Sequence, residues 1–166
     1  MFGAMNLLTI VTEKNLDKGV VDSNDENTMD KKILEIYYKD VFNDPIEDEE
    51  FPDSLEYIEF GKNFNQPIEN VKWPKNLTHI HFGDNFNQPI ENVKWPNTLK
   101  SIEFTDRFNQ PIENVKWPES LKEIYFGKNF THPLKSNWPP SLNTIDTIDC
   151  CRDEYDEDDV DELLNK

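Results

Sequence analysis

The residues best suited to chemistry in this chain are His79 and His81. They stand two apart, which puts both side chains on one face of an extended segment. Glu59 and Glu103 lie at equal distances before and after His81 along the chain. Two imidazoles with flanking carboxylates could take a transition metal or change charge near neutral pH. The plainer reading is a pair of solvent-facing histidines on a binding face, and no metal or other cofactor is assigned. The 34 Asp and Glu residues are abundant, but many of them recur at a fixed interval. That describes a ladder rather than one acid/base pair. No phosphate-binding loop or nucleophile elbow is present. Cys150 and Cys151 are the only two cysteines; they are adjacent, lack metal-ligand spacing and are expected to be reduced. These features point away from an enzyme.

The elements that carry these residues follow from an internal repeat. The stretch FNQPIENVKWP occurs three times without change, at Phe64 to Pro74, Phe86 to Pro96 and Phe108 to Pro118, always at the same interval. A fixed period of this length marks a solenoid. Each copy leads into L-x-x-I-x-F: Leu77, Ile80, Phe82; Leu99, Ile102, Phe104; Leu121, Ile124, Phe126. Looser copies extend the register outward. Phe42 to Ile46 precede Leu55, Ile58 and Phe60, and Ile33, Ile36 and Tyr38 stand one period earlier. On the far side Phe130 opens a shortened copy, so Trp138 falls one position short of a full period after Trp117. Leu142 and Ile145 follow, with Thr147 in the Phe place. Decayed end copies suit coils that have only one neighbour.

This pattern predicts a β-rich, leucine-rich-repeat-like solenoid of 22-residue coils. It should hold a parallel sheet of about six short strands and little helix. The strand segments start at Ile33, Leu55, Leu77, Leu99, Leu121 and Leu142. Within each, Ile and Phe share an inward face. Gly61, Gly83 and Gly127 let the chain turn off the strand. Asn63, Asn85 and Asn129 can satisfy backbone groups of the turn and the next coil. Thr105 and Arg107 replace Gly and Asn in one coil, whose turn could differ. Pro67 could open a single helical turn, and Pro74 ends it. The half-repeat I-x-x-V-x-W has the same spacing as L-x-x-I-x-F, so either could form the sheet; the Gly and Asn that follow favour L-x-x-I-x-F. Trp73, Trp95, Trp117 and Trp138 read as a buried stack rather than a ligand platform. Glu69 with Lys72, repeated at Glu91 and Lys94 and at Glu113 and Lys116, are expected to pair across coils.

The string W-P-x-x-L-x-x-I-x-F-G-x-N-F-N-Q-P-I strongly resembles the FNIP repeat, a class related to leucine-rich repeats and found in proteins of social amoebae and giant DNA viruses. The resemblance runs from about Ile33 to Ile148. It implies a repeat fold and a protein-binding role. Many members carry an F-box before the repeats, which would imply substrate recruitment to a ubiquitin ligase. About 30 residues precede the first strand here, too few for that helical bundle. The ligase link is therefore not carried over, although an adaptor lacking a recognisable F-box is an alternative reading. An enzyme with a site on the concave sheet is a further and weaker one.

The 166 residues divide into an N-terminal cap over 1–32, the repeats over 33–149 and an acidic cap or tail over 150–166. The net charge of −17 disfavours nucleic acid and anionic membrane surfaces. Asp146 to Lys166 contain ten acids and two bases, a net of −8. Such a run reads as a solvated cap, and Val160, Leu163 and Leu164 could form a short amphipathic helix over the last coil. Met1 to Val11 are apolar, with no basic residue before them and too few residues to span a bilayer. They suit a capping strand, hairpinned with Val20 and Val21. An intracellular, cytoplasmic monomer is expected.

A partner should meet the face where the copies differ. Tyr37, Glu59, His81, Glu103, Tyr125 and Asp146 sit between the inward Ile and Phe of successive coils. Glu35, Tyr57, His79, Ser101, Glu123 and Thr144 stand two residues earlier. The expected partner-binding residues are Tyr37, Tyr57, Glu59, His79, His81, Glu103, Glu123 and Tyr125. Their mix of aromatics and acids suits a protein with a basic or amphipathic surface.

Overall fold

A computed structural model describes residues 8–12 and 33–148. Seven strands form one sheet in chain order: β1 (Leu8–Thr12), β2 (Ile33–Tyr38), β3 (Tyr57–Glu59), β4 (His79–His81), β5 (Ser101–Glu103), β6 (Glu123–Gly127) and β7 (Thr144–Ile148). β2 to β7 pair in parallel, each residue with its counterpart one repeat on. Ile36, Ile58, Ile80, Ile102, Ile124 and Ile145 thus form one column. β1 pairs antiparallel with β2, with its register shifted between Val11 and Thr12. The expected hairpin with Val20 and Val21, the tail helix and the two cysteines lie outside the described residues.

The inner strands β3 to β5 are only three residues long. They start two residues later than the L-x-x-I-x-F pattern suggests, because each Leu closes a turn instead. The Leu55, Leu77, Leu99, Leu121 and Leu142 amides donate to the carbonyls of Pro52, Pro74, Pro96, Pro118 and Pro139, at 3.0–3.2 Å. Two more turns complete a coil: Phe64 N–H to Gly61 O at 3.1 Å and Val71 N–H to Ile68 O at 3.3 Å. Helix is absent among the described residues. The helical turn expected after Pro67 is a β-turn, since the chain must bend again within three residues to reach Trp73 and Pro74.

Three corners per coil point the repeated Leu, Ile, Phe and Val side chains inward. Phe60, Phe82, Phe104 and Phe126 form one buried column, and Phe64, Phe86 and Phe108 another. Rings of the two columns meet within a coil at 4.1 Å between centroids, as in Phe82–Phe86. They stack on the next coil at 5.3 Å (Phe82–Phe104) and 6.2 Å (Phe86–Phe108). Identical rings at every level pack without a change of shape, so the core can extend by repetition.

Phe51, Trp73, Trp95, Trp117 and Trp138 form a third stack, 5.3–6.3 Å apart. Trp95 and Trp117 are buried, whereas Trp73 and Trp138 remain half-buried. The Trp117 Nε1–H donates to Ser136 Oγ at 2.9 Å, while the buried Nε1 atoms of Trp73 and Trp95 have no partner.

The glycines serve close approach rather than backbone freedom. A Cβ on Gly61 would lie 2.3 Å from the Lys39 carbonyl oxygen, and one on Gly83 2.1 Å from that of Gly61. Thr105 nevertheless occupies this place in the β5 coil and keeps the turn, with Phe108 N–H to Thr105 O at 3.2 Å. Its hydroxyl is buried without a partner. The coil-to-coil bond beside it, Arg107 N–H to Asp84 O, is 3.2 Å, against 3.0 and 2.9 Å at Asn63 and Asn85.

The polar letters of FNQP have their own role. Asn87 Oδ1 accepts from the Asn109 N–H at 3.0 Å and from Gln110 Nε2 at 2.9 Å. Asn65 does the same for Asn87 and Gln88, and Asn43 for Asn65 and Gln66. Each Asn thus satisfies donors of the next coil that have no strand partner. The expected amide at Asn63 contributes less regularly: its Oδ1 accepts from Asn85 Nδ2 at 3.1 Å, while Asn129 Nδ2 donates to Asp106 O at 2.7 Å.

The expected pairing of Glu69 with Lys72 does not form. These residues and their repeats are exposed, and none is in an ion pair among the described residues. The coils are instead bridged by Lys62–Asp40 at 3.9 Å, Lys128–Asp106 at 3.0 Å and Lys75–Asp53. The two members of each pair stand at equivalent places of successive coils, where stacking brings opposite charges together.

Candidate functional site

Alternation along β2 to β7 turns the central Ile inward, buried in β2 to β6 and half-buried in β7, and turns its two neighbours to the opposite face. The register aligns Glu35, Tyr57, His79, Ser101, Glu123 and Thr144 in one column. It aligns Tyr37, Glu59, His81, Glu103, Tyr125 and Asp146 in the other. All eight residues expected to meet a partner therefore lie on one continuous face. His79 is exposed and the other seven are half-buried by their neighbours. β1 continues the sheet by one strand, placing Thr9 opposite Tyr37 and Val11 opposite Glu35. The apolar stretch ending in the β-branched Ile10 and Val11 carries that signal.

Side chains on this face form short local links. Tyr37 donates to Glu35 Oε2 at 3.0 Å, and Tyr57 to Glu59 Oε2 at 2.8 Å. The rings of Tyr37 and Tyr57 lie 5.4 Å apart, tilted by 41°, and Tyr57 is 6.4 Å from the His79 ring. Burial, reinforced by the carboxylate each hydroxyl bonds, raises the pKa of Tyr37 and Tyr57. Tyr125 is raised by burial and by the charges of Glu123, Asp146 and Glu103. These phenols stay neutral and present flat apolar rings next to anionic oxygens.

The histidines do not converge. His79 Nδ1 is 2.8 Å from Thr78 Oγ1, and His81 Nδ1 is 3.6 Å from Glu103 Oε2. Among the described residues no group of three or more His, Cys, Asp or Glu side chains is placed to hold a metal ion. What the face offers is an open surface of rings and carboxylates. The corner ion pairs and the Asn–Gln ladder, which the repeat pattern did not reveal, lie away from it. Among the described residues no helix is long and apolar enough to cross a membrane.

No curated protein matches the chain. Among solved structures the fold is similar to that of CroV588, described as a novel circular LRR protein, with a TM-score of 0.57 and 38% sequence identity. The similarity covers 69% of this chain and 20% of that one, so this chain spans about a fifth of that protein's length. The family model of the FNIP repeat matches residues 42–72, 71–107 and 108–146. These matches cover well over half of the chain, and with the stacked 22-residue coils they place it in the FNIP repeat family as a leucine-rich-repeat-like protein.

Proposed function

We propose that this protein is a non-catalytic interaction scaffold that takes a protein partner on the open face of its sheet. One contrast carries the reading. The inward positions hold nearly the same residues in every coil, because columns of Phe, Ile and Leu must stack on themselves. The outward positions change from Tyr to Glu to His along a single column. A rigid frame with a variable face can present many side chains to one partner at little entropic cost, and Tyr is an efficient anchor in such surfaces. Leucine-rich-repeat folds commonly serve as interaction scaffolds, which supports the same reading.

The test is the combined variant Tyr57→Ala, His81→Ala, Glu103→Ala and Tyr125→Ala. Partners recovered by affinity purification with the wild-type chain are titrated against both proteins. The expected outcome is a folded variant whose affinity falls well beyond threefold, more than about 0.7 kcal/mol. Equal affinity for the two proteins would move the binding surface elsewhere.

A further inference from the structure

The carboxylates of the open face are distributed with a period of their own. In one column they fall on alternate strands: Glu59 on β3, Glu103 on β5 and Asp146 on β7, with His81 and Tyr125 between them. Three acids at the corners are placed differently. There Asp40, Asp53 and Asp106 each have the Lys of the next coil as partner. On the open face neither column holds a Lys or Arg. Glu59 and Asp146 have no cationic partner among the described residues, and Glu103 has only His81 beside it. Three acids between coils are thus matched by lysines within the fold, whereas this column of acids on the sheet has no Lys or Arg and is left to be matched from outside.

Adjacent strands are about 4.8 Å apart, so acids on alternate strands recur at roughly 9.6 Å. A β-strand laid along the column does not match, because its residues three apart point to opposite sides. A polyproline II helix does. It has three residues per turn and rises about 3.1 Å per residue, so positions i, i+3 and i+6 project to one side at roughly 9.3 Å intervals. Half-buried Tyr37, Tyr57 and Tyr125 offer rings on the same face, the kind of surface on which proline rings and guanidinium planes rest.

We propose that the column of Glu59, Glu103 and Asp146 binds a basic polyproline II segment with Arg or Lys at every third residue, lying along the stacking axis of the coils. The proposal rests on the reading of the open face as the binding surface and specifies the partner's chemistry.

The experiment uses three fluorescent synthetic peptides and the full chain at about 0.15 M salt, where long-range attraction is largely screened. One peptide repeats Arg-Pro-Pro. The second has the same composition with its arginines clustered. The third replaces Arg with Gln. The expected result is binding of the first at least tenfold tighter than the second, with no measurable binding of the third. Glu59→Gln with Glu103→Gln should weaken the first at least tenfold and leave thermal stability unchanged. Asp40→Asn with Asp53→Asn, at the corners, should leave it unchanged. Equal binding of the first two peptides would reduce the effect to general attraction by an acidic protein and overturn the proposal. So would an unchanged affinity in the Glu59 and Glu103 variant. If no peptide binds while the four-residue face variant still loses its protein partner, this proposal fails and the scaffold reading stands.

Discussion

Asn87 offers a direct test of what holds the coils together outside the sheet. Its Oδ1 accepts from the Asn109 amide at 3.0 Å and from Gln110 Nε2 at 2.9 Å, and its carbonyl oxygen accepts from Gln110 Nε2 at 3.1 Å. Asn87→Ala removes the shared acceptor. The Asn109 N–H is then stranded in a part-buried site, which costs about 1–3 kcal/mol when burial is complete, and the Gln110 bond contributes about 0.5–1.5 kcal/mol. Because the site is only partly buried, the expected loss is about 2 kcal/mol. With a urea dependence of about 2 kcal/mol per molar, the unfolding midpoint should fall by about 1 M. Asn87→Asp keeps an oxygen acceptor in place and should retain most of the stability near neutral pH. Urea titrations followed by tryptophan fluorescence measure all three proteins. A loss below about 0.5 kcal/mol for Asn87→Ala, or an Asp variant as unstable as the Ala variant, would refute the idea that this amide acts as the acceptor joining successive coils.

Deleting one full period, Phe86 to Arg107, should leave a shorter folded protein with the circular dichroism of the parent. Deleting only Phe86 to Pro96 should unfold it, because the inward set loses its register. Thr105→Val should raise stability by about 1 kcal/mol in thermal unfolding, since it removes a buried hydroxyl without a partner at nearly constant volume. Burial, then the Glu59 hydrogen bond, raises the Tyr57 pKa from 10.0. The neutral phenol's contribution is thus complete below pH 10 and is lost as pH rises above it. The melting temperature of the wild type should therefore fall further between pH 9 and pH 11 than that of Tyr57→Phe; an equal fall in both would count against the raised pKa.

The period was legible because identical apolar residues recur at a spacing that no other arrangement would bury. The same spacing fixed the two columns of the open face. Once the coils stack in register, Tyr57 can only lie beside Glu35 and His79. The core Phe and Ile residues follow for the same reason, as does the buried interior of the Trp stack. These are properties of a one-dimensional repeat, in which each residue's neighbours are its own copies one period away.

Other features required the folded chain. I-E-N-V-K-W and L-T-H-I-H-F have equal spacing, and only the placement of turns decides which forms the sheet. Turns at Ile68–Val71 and Pro74–Leu77 break up the first, where the prolines lack the N–H a ladder needs. The glycine requirement is a contact between carbonyls and a missing Cβ in adjacent coils, which local sequence cannot express. The Asn–Gln ladder and the Lys–Asp corner pairs depend on distances between coils. Glu69 and Lys72 had the right charges and the right period, yet they face water; the angle at which a corner presents its side chains is set by the tertiary path. The period of a repeat determines which residues share a column, but the shape of the coil determines which columns touch.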